Sequence, residues 1–438
     1  MRERHGARES ACCAVNSVFV GSAMDLVLRN ARLPESTPSD RLVDIGIADG
    51  KIAALQAGLP TGGPERDLNG ALTCAGLIDC HIHLDKARIL DRTAPETGRL
   101  ADSVRRTSAV KHGFTVEDVH ARASRVLSRA VAQGTTRMRT QLELDPIVDL
   151  RSFEGVKQAV SDFASMIDVE ICVFSEEGLT NNPGSEELLV AALDSGVRVI
   201  GGAPGSDTDR AGQLERIFAL AQHYDCDVDL HIDFGNEPKD LDLDVVCRLT
   251  DRDKLGSRVT VAHVTKLTTF PLEQQKIIAR RLANAGITLT VLPATDAFLS
   301  GRDQTSNIRR GVVDGNMLIE EGANATLGTN NVMNAFTPFG DCSLLRMANF
   351  YAHIVQISSD DQIRICWEML TTRPARMLNL RDYGIAVGNP ADIVVFDAAD
   401  PVQAIREIRQ PLLAFKSGRQ TLEWSKPKLL GDGNHSAT

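Results

Sequence analysis

Between residues 71 and 340 the chain alternates a short apolar run with a longer polar or amphipathic stretch, eight times over, and few folds satisfy that rhythm. The apolar runs fall near 73–83, 136–144, 168–176, 197–203, 227–233, 258–264, 287–293 and 325–330. Stretches such as 114–132, 186–195, 212–224 and 269–285 carry the helical period between them. Apolar runs of strand length separated by amphipathic helices predict parallel strands covered by helices. Eight such units close into a (β/α)8 TIM barrel, so the expected class is α/β. In such a barrel, polar residues at the C-terminal ends of the strands share one centre, and that is where chemistry is expected.

The two ends of the chain keep a different rhythm. Residues from Met24, then Val43 to Leu55 with an Asp49-Gly50 turn, and near the other end 388–397 and 412–423, alternate in the strand period. They predict one small β-sandwich domain assembled from both termini. The expected organisation is a disordered extension over 1–23, the sandwich over 24–70 and 384–425, the barrel over 71–383, and a disordered tail over 426–438. Residues 1–23 start basic and then run apolar like a poor signal peptide, with Asn16 and Ser17 breaking the apolar centre.

Bulk properties narrow the partners. A net charge of −10 excludes nucleic acid and an anionic membrane as main partners. No apolar run approaches the roughly 18 to 20 residues of a membrane span. Nine cysteines in no ligand or disulfide spacing read as reduced core residues of a cytoplasmic protein.

Collecting strand ends gives His81, His83 and Asp85; Gln141 and Glu143; Glu176 and Glu177; His231 and Asp233; His263 and Lys266; Asp296; and Asn330 and Asn331. His81 and His83, two apart on one strand, face the same way. With His231 they predict a site for one divalent ion, zinc or iron, whose open position would acidify a bound water. His263 is then placed to hydrogen-bond that water or a developing alkoxide. The other six histidines, His5, His112, His120, His223, His353 and His435, read as surface or packing residues.

This set, together with the terminal sheet domain, resembles the amidohydrolase superfamily, and within it the bacterial cytosine deaminases and their relatives. The resemblance spans residues 25–423. It rests on His81-Ile-His-Leu-Asp85, Glu177-Gly-Leu179, His231-Ile-Asp233, Ala262-His-Val-Thr265, Gly301-Arg302 with Arg309-Arg-Gly311, Pro338-Phe-Gly340 and Leu378-Asn-Leu-Arg-Asp-Tyr-Gly-Ile385. It implies a mononuclear metal hydrolase that releases ammonia from, or opens, a small nitrogen heterocycle. By fold-level analogy it also implies a possible homo-oligomer.

Three departures from the resemblance carry chemical weight. Phe234 stands where the deaminases place a proton-shuttling glutamate, and Asn330 where they place a metal-binding aspartate. Glu176 stands where cytosine deaminases place a substrate-recognising glutamine. Phenylalanine moves no proton, and Asn330 offers the metal only a neutral oxygen. Glu176, acceptor-only when ionised, is expected to favour substrates with amino or ring N–H groups, or to replace the missing shuttle.

The catalytic candidates are therefore His263, Glu176 and Asp233, the last as an orienting group for His231 or the substrate. The substrate-contacting candidates are Glu176, Gln141, Phe234 and Asn331, with Phe174 and Phe298 as further flat surfaces. The metal candidates are His81, His83, His231 and Asn330. Asp85 and Lys86 read as bracing the loop beyond the metal motif, and Asp296 as a carboxylate near the site. Three activities fit: an altered C–N hydrolase of cyclic amides or amidines, a silent heterocycle-binding protein, and a cytosine- or pterin-type deaminase working through Glu176.

Overall fold

The computed structural model describes residues 24–36, 40–60 and 63–427. The extension expected over 1–23 lies outside the described residues, as does the tail from 428 onward.

Two small sheets form from the ends of the chain. One holds β1 (Leu26–Ala31), β2 (Val43–Ala48), β3 (Lys51–Gln56) and β4 (Glu65–Asp67) in the order 3-2-1-4. The other joins β5 (Leu72–Ala75) to three late strands introduced below. Leu28, Ile45, Ile47 and Ile52 from the first sheet share one buried core with Ile393, Val395 and Phe415 from the second. That common core makes the expected sandwich. Asp49 and Gly50, with φ of 50° and 73°, form the β2–β3 turn, for which both residues must be left-handed.

The eight central strands are β6 (Leu77–Ile82), β7 (Thr135–Glu143), β8 (Asp168–Phe174), β9 (Val199–Gly202), β10 (Asp227–Ile232), β11 (Val259–His263), β12 (Ile287–Val291) and β13 (Asn324–Leu327). They pair in sequence order, all parallel. The barrel closes where Asn330 bridges to β6: its N–H donates to the His81 carbonyl at 2.8 Å, and its carbonyl accepts from the His83 N–H at 3.0 Å. The seam therefore runs through the His-x-His motif itself. Asn330 holds φ at 58°, a left-handed conformation that asparagine tolerates better than most residues.

One strand expected over 73–83 is in fact two, β5 and β6, separated by Gly76. A side chain at Gly76 would run into Thr136, so only glycine lets the chain cross from the terminal sheet into the barrel here. The remaining strands, β14 (Ile393–Phe396), β15 (Pro411–Lys416) and β16 (Arg419–Glu423), complete the second sheet in the order 16-15-14-5.

The helices owe their faces to spacing. In Val116–Ala132, Thr115 caps the first turn by accepting from the Asp118 N–H, and Val119, Ala123, Val126, Leu127 and Ala130 recur at helical spacing on the buried face. Each such valine or leucine contributes roughly 1.5–3 kcal/mol by leaving water. A second helix, Leu100–Lys111, precedes it within the same connection and forms a wall above the barrel mouth. Among the described residues no helix is long and apolar enough to cross a membrane.

Candidate metal centre and active site

β6 sends His81 into the barrel and His83 follows one step beyond its end, while β10 sends His231 toward them. His231 Nε2 lies 3.1 Å from His81 Nε2 and 3.4 Å from His83 Nε2. Two nitrogens on one tetrahedral zinc stand about 3.3 Å apart, given Zn–N bonds of about 2.0–2.1 Å. Burial holds all three imidazoles well below their ordinary pKa, and the neighbouring imidazoles and Lys86 add to that effect. Neutral rings that turn their nitrogens on one another have a common use for a cation. The Nδ1 atoms of His81, His83 and His231 have no hydrogen-bond partner among the described residues. The donor set suits a borderline divalent ion.

His263, at the end of β11, adds a fourth imidazole: ring nitrogens of His81, His231 and His263 all lie within 4.8 Å of one another. His263 Nδ1 is 2.6 Å from Asp296 Oδ1, and Asp296 Oδ2 accepts from the Leu292 N–H. A carboxylate accepts there, so the proton sits on Nδ1 and the Nε2 lone pair is free. Burial pushes the Asp296 carboxyl upward and His263 opposes that shift. Asp296 thus fixes the tautomer of the imidazole.

These groups open onto a cavity of about 460 Å³ lined by His83, His231, His263, Lys86, Glu176, Asn331, Phe234 and Phe336, with Leu100, Val104 and Arg105 from the covering helix. Glu176 reaches it but is held by Lys86, whose Nζ lies 3.0 Å from Oε2. Phe234 stands edge-on to His263 at 5.8 Å. Asn331 lines the cavity too, donating to Asn330 Oδ1 at 3.0 Å.

Other expected residues lie elsewhere. Asp233 contributes to the wall, but its carboxylate accepts from the Asp242 and Leu243 N–H groups, both at 3.0 Å, and so caps the helix Asp242–Asp253. Gln141 is buried on β7 and does not line the cavity. Phe174 stacks on His231 at 4.7 Å and 17° and does not line the cavity. Phe298 lies in a separate groove. Lys86, read as a loop brace, instead places its ammonium at the cavity wall.

Behind Lys86 runs a buried ionic chain. Glu143 Oε2 lies 3.5 Å from Lys86 Nζ, and Lys111 contacts Glu143, Asp145 and Glu177 together. Those three carboxylates resemble a cation site, and the Lys111 ammonium already fills it. Desolvation, with Glu176 and Asp145 nearby, lifts the Glu143 carboxyl to about 7 despite both lysines.

Residues 97–420 match the amidohydrolase family. The chain belongs to that family. It is 26% identical to N-isopropylammelide isopropyl amidohydrolase of Pseudomonas sp. (strain ADP), over 90% of this chain and 96% of that one. It is 28% identical to pterin deaminase of Rhizobium rhizogenes, over 86% and 89%. The structure of 5-methylcytosine deaminase from Klebsiella pneumoniae liganded with 5-fluorocytosine superposes with a TM-score of 0.86, at 26% identity over 92% of this chain and 99% of that one. This amidohydrolase is accordingly a hydrolase of carbon–nitrogen bonds other than peptide bonds, in a metal-dependent family, as the sequence motifs imply.

Proposed function

We propose that this amidohydrolase hydrolyses a C–N bond of a small nitrogen heterocycle, a cyclic amide or amidine, by a route altered from that of the cytosine deaminases. His81, His83 and His231 would hold one divalent ion, zinc or iron, with the Asn330 amide as the proposed oxygen donor. When bound, the ion supplies a Lewis acid that makes water nucleophilic near neutral pH.

The protein's own residues do the rest. His263 Nε2 accepts a proton at the cavity floor and returns it to the departing nitrogen, while Asp296 stabilises the imidazolium through Nδ1. This dyad takes over the proton traffic that Phe234 and Asn330 cannot carry. Phe234 and Phe336 present apolar surface to a flat ring. The relatives support the substrate class, since their names describe an ammelide amidohydrolase, a pterin deaminase and a methylcytosine deaminase.

The observation that carries this reading is the approach of the His81 and His83 Nε2 atoms to that of His231, at 3.1 and 3.4 Å. Elemental analysis of wild type and His81→Ala, paired with a screen of cyclic amides and amino-heterocycles for ammonia release or ring opening, tests it. Near-stoichiometric metal, and ammonia release or ring opening, in the wild type, both lost in His81→Ala, are expected. A wild type that takes up no zinc, iron or manganese, or turnover that survives the substitution, refutes it.

A further inference from the structure

The candidate ligands include no anion: three neutral imidazoles and the Asn330 amide would meet a doubly charged ion. Most carboxylates near the cluster are committed elsewhere. Asp296 serves His263, Asp233 caps a helix, and Asp79 accepts from the Thr329 N–H and hydroxyl. Asp229 has an oxygen to spare. It precedes His231 by two residues on β10, so both side chains enter the barrel on one face. Its carboxylate is fully buried and does not line the cavity, and Oδ2 accepts from Arg139 Nη1 at 3.1 Å. Arg139, on β7, is held in turn by Glu170, whose Oε2 lies 2.7 Å from Nε. Asp229 Oδ1 has no hydrogen-bond partner among the described residues, nor has His81 Nδ1, and these two orphaned atoms lie 3.9 Å apart. Leaving both unpaired is costly, and a movement of about 1 Å joins them.

We infer that Asp229 is a positioning residue for the metal: it accepts from His81 Nδ1–H, fixes the proton on that nitrogen and so leaves the Nε2 lone pair for the ion. The inference rests on the metal-hydrolase reading of this site and adds to it a source of the negative charge that Asn330 does not supply. An imidazole backed by a carboxylate is a more basic ligand, so a charge one ring removed from the ion does part of the work of an anionic ligand. Arg139 sets the direction. A guanidinium only donates, so it claims Oδ2 and leaves Oδ1 for His81.

The proton–nitrogen correlation spectrum of the histidine side chains, recorded by NMR on the full chain stripped of metal, tests this, with the His81 signals assigned by their loss in His81→Ala. The proton is expected on Nδ1 of His81; a proton on Nε2 overturns the inference. In Asp229→Asn the Arg139 guanidinium claims the amide oxygen and the amide N–H must face His81, so the proton is expected to move to Nε2. Zinc affinity, measured by competition with a chelator, is expected to fall roughly 10- to 100-fold in that variant. Arg139→Met combined with Asp229→Leu removes the buried ion pair as a unit, which a core tolerates better than one stranded charge, and the same loss of zinc affinity is expected. Wild-type affinity in either variant would reduce Asp229 to a structural partner of Arg139 and overturn the inference. Should neither variant fold by circular dichroism, the tautomer of the wild type decides alone. Failure of the hydrolase reading shows separately, as absent metal uptake or absent turnover in the wild type, because the tautomer is read without metal.

Discussion

Two buried polar clusters adjoin each other at the barrel mouth and have opposite charge states. The histidine cluster, His81, His83 and His231, is kept neutral by burial. The chain Glu176–Lys86–Glu143–Lys111 is as dry, yet both lysines are driven further toward their charged forms because carboxylates surround them. Burial alone does not set charge; the neighbours do. The imidazoles face one another and the Phe174 ring, and that neutrality is what a metal ligand needs, because a protonated imidazole has no lone pair to give. The ionic chain holds fixed charge at the cavity wall. If the two clusters are separate, a substitution in one leaves the work of the other intact.

The largest effect is expected at the hinge between proton transfer and metal binding. Asp296→Asn keeps the shape of the dyad but turns an acceptor into an amide that can donate to His263 Nδ1, which favours the tautomer with the proton on Nε2. The turnover rate is expected to fall by roughly 10² to 10⁴. Zinc content stays at the wild-type level if Asp296 serves His263 only. A parallel loss of metal would place Asp296 in the ligand set and dissolve the distinction between holding the ion and moving the proton.

Next comes the centre of the ionic chain. Lys111→Met leaves Glu143, Asp145 and Glu177 without their common cation in a buried site. Breaking such a pair costs about 3–5 kcal/mol. The stranded carboxylates then titrate at higher pH when folded than when unfolded, so the destabilisation is expected to be larger at pH 8 than at pH 5 in urea unfolding. Zinc content should not change, and a variant that loses its metal along with its stability would show the clusters to be one unit.

A smaller effect separates the clusters by sign. The Glu143 carboxyl, raised to about 7 from an ordinary 4.5, is protonated in the folded protein where the unfolded chain has already lost the proton. Its contribution is full below about pH 4.5 and is lost as pH rises toward 7. The imidazoles do the reverse. Lowered from 6.5, they contribute stability above that pH and lose it as pH falls, because only the unfolded chain takes up protons. In the metal-free protein Glu143→Gln removes the first trend alone. Stability between pH 5 and 7 is then expected to rise more steeply with pH, by up to about 1.4 kcal/mol per pH unit. An unchanged slope would mean that Glu143 is ionised throughout.

How much of this was legible in the sequence follows from the range of the interactions. The barrel was legible because hydrophobic period is local, and the four central histidines because strand ends in a barrel converge whatever lies between them. The break at Gly76 was not, since its cause is a side chain sixty residues away, Thr136. Lys86 looked like a brace because the bracing by Arg122 and Asn334 is visible only in space. Asp296 could be named as a nearby carboxylate, but its pairing with His263 depended on the turn into the helix Pro293–Leu299. The wall made by Leu100–Lys111 was missed for another reason: that segment is polar on most of its faces and carries no strong period.

Asp233 marks the smallest effect and the closest approach of structure to chemistry. It is two residues from His231, which suggested an orienting role, yet its two oxygens serve backbone N–H groups at the start of Asp242–Asp253, with Lys266 Nζ 3.4 Å from Oδ1. Its left-handed φ of 54° turns the side chain's path out of the strand, and aspartate tolerates that conformation. A cap of this kind is worth about 1 kcal/mol. Asp233→Asn keeps one acceptor oxygen and the backbone preference, and Asp233→Ala keeps neither. A graded loss of stability, smaller for asparagine, with metal content and turnover unchanged, is therefore expected from urea unfolding beside an amine-release assay. If turnover falls in both variants while stability does not, the carboxylate acts on His231 or the substrate, and the neutral cluster then draws on a charged neighbour after all.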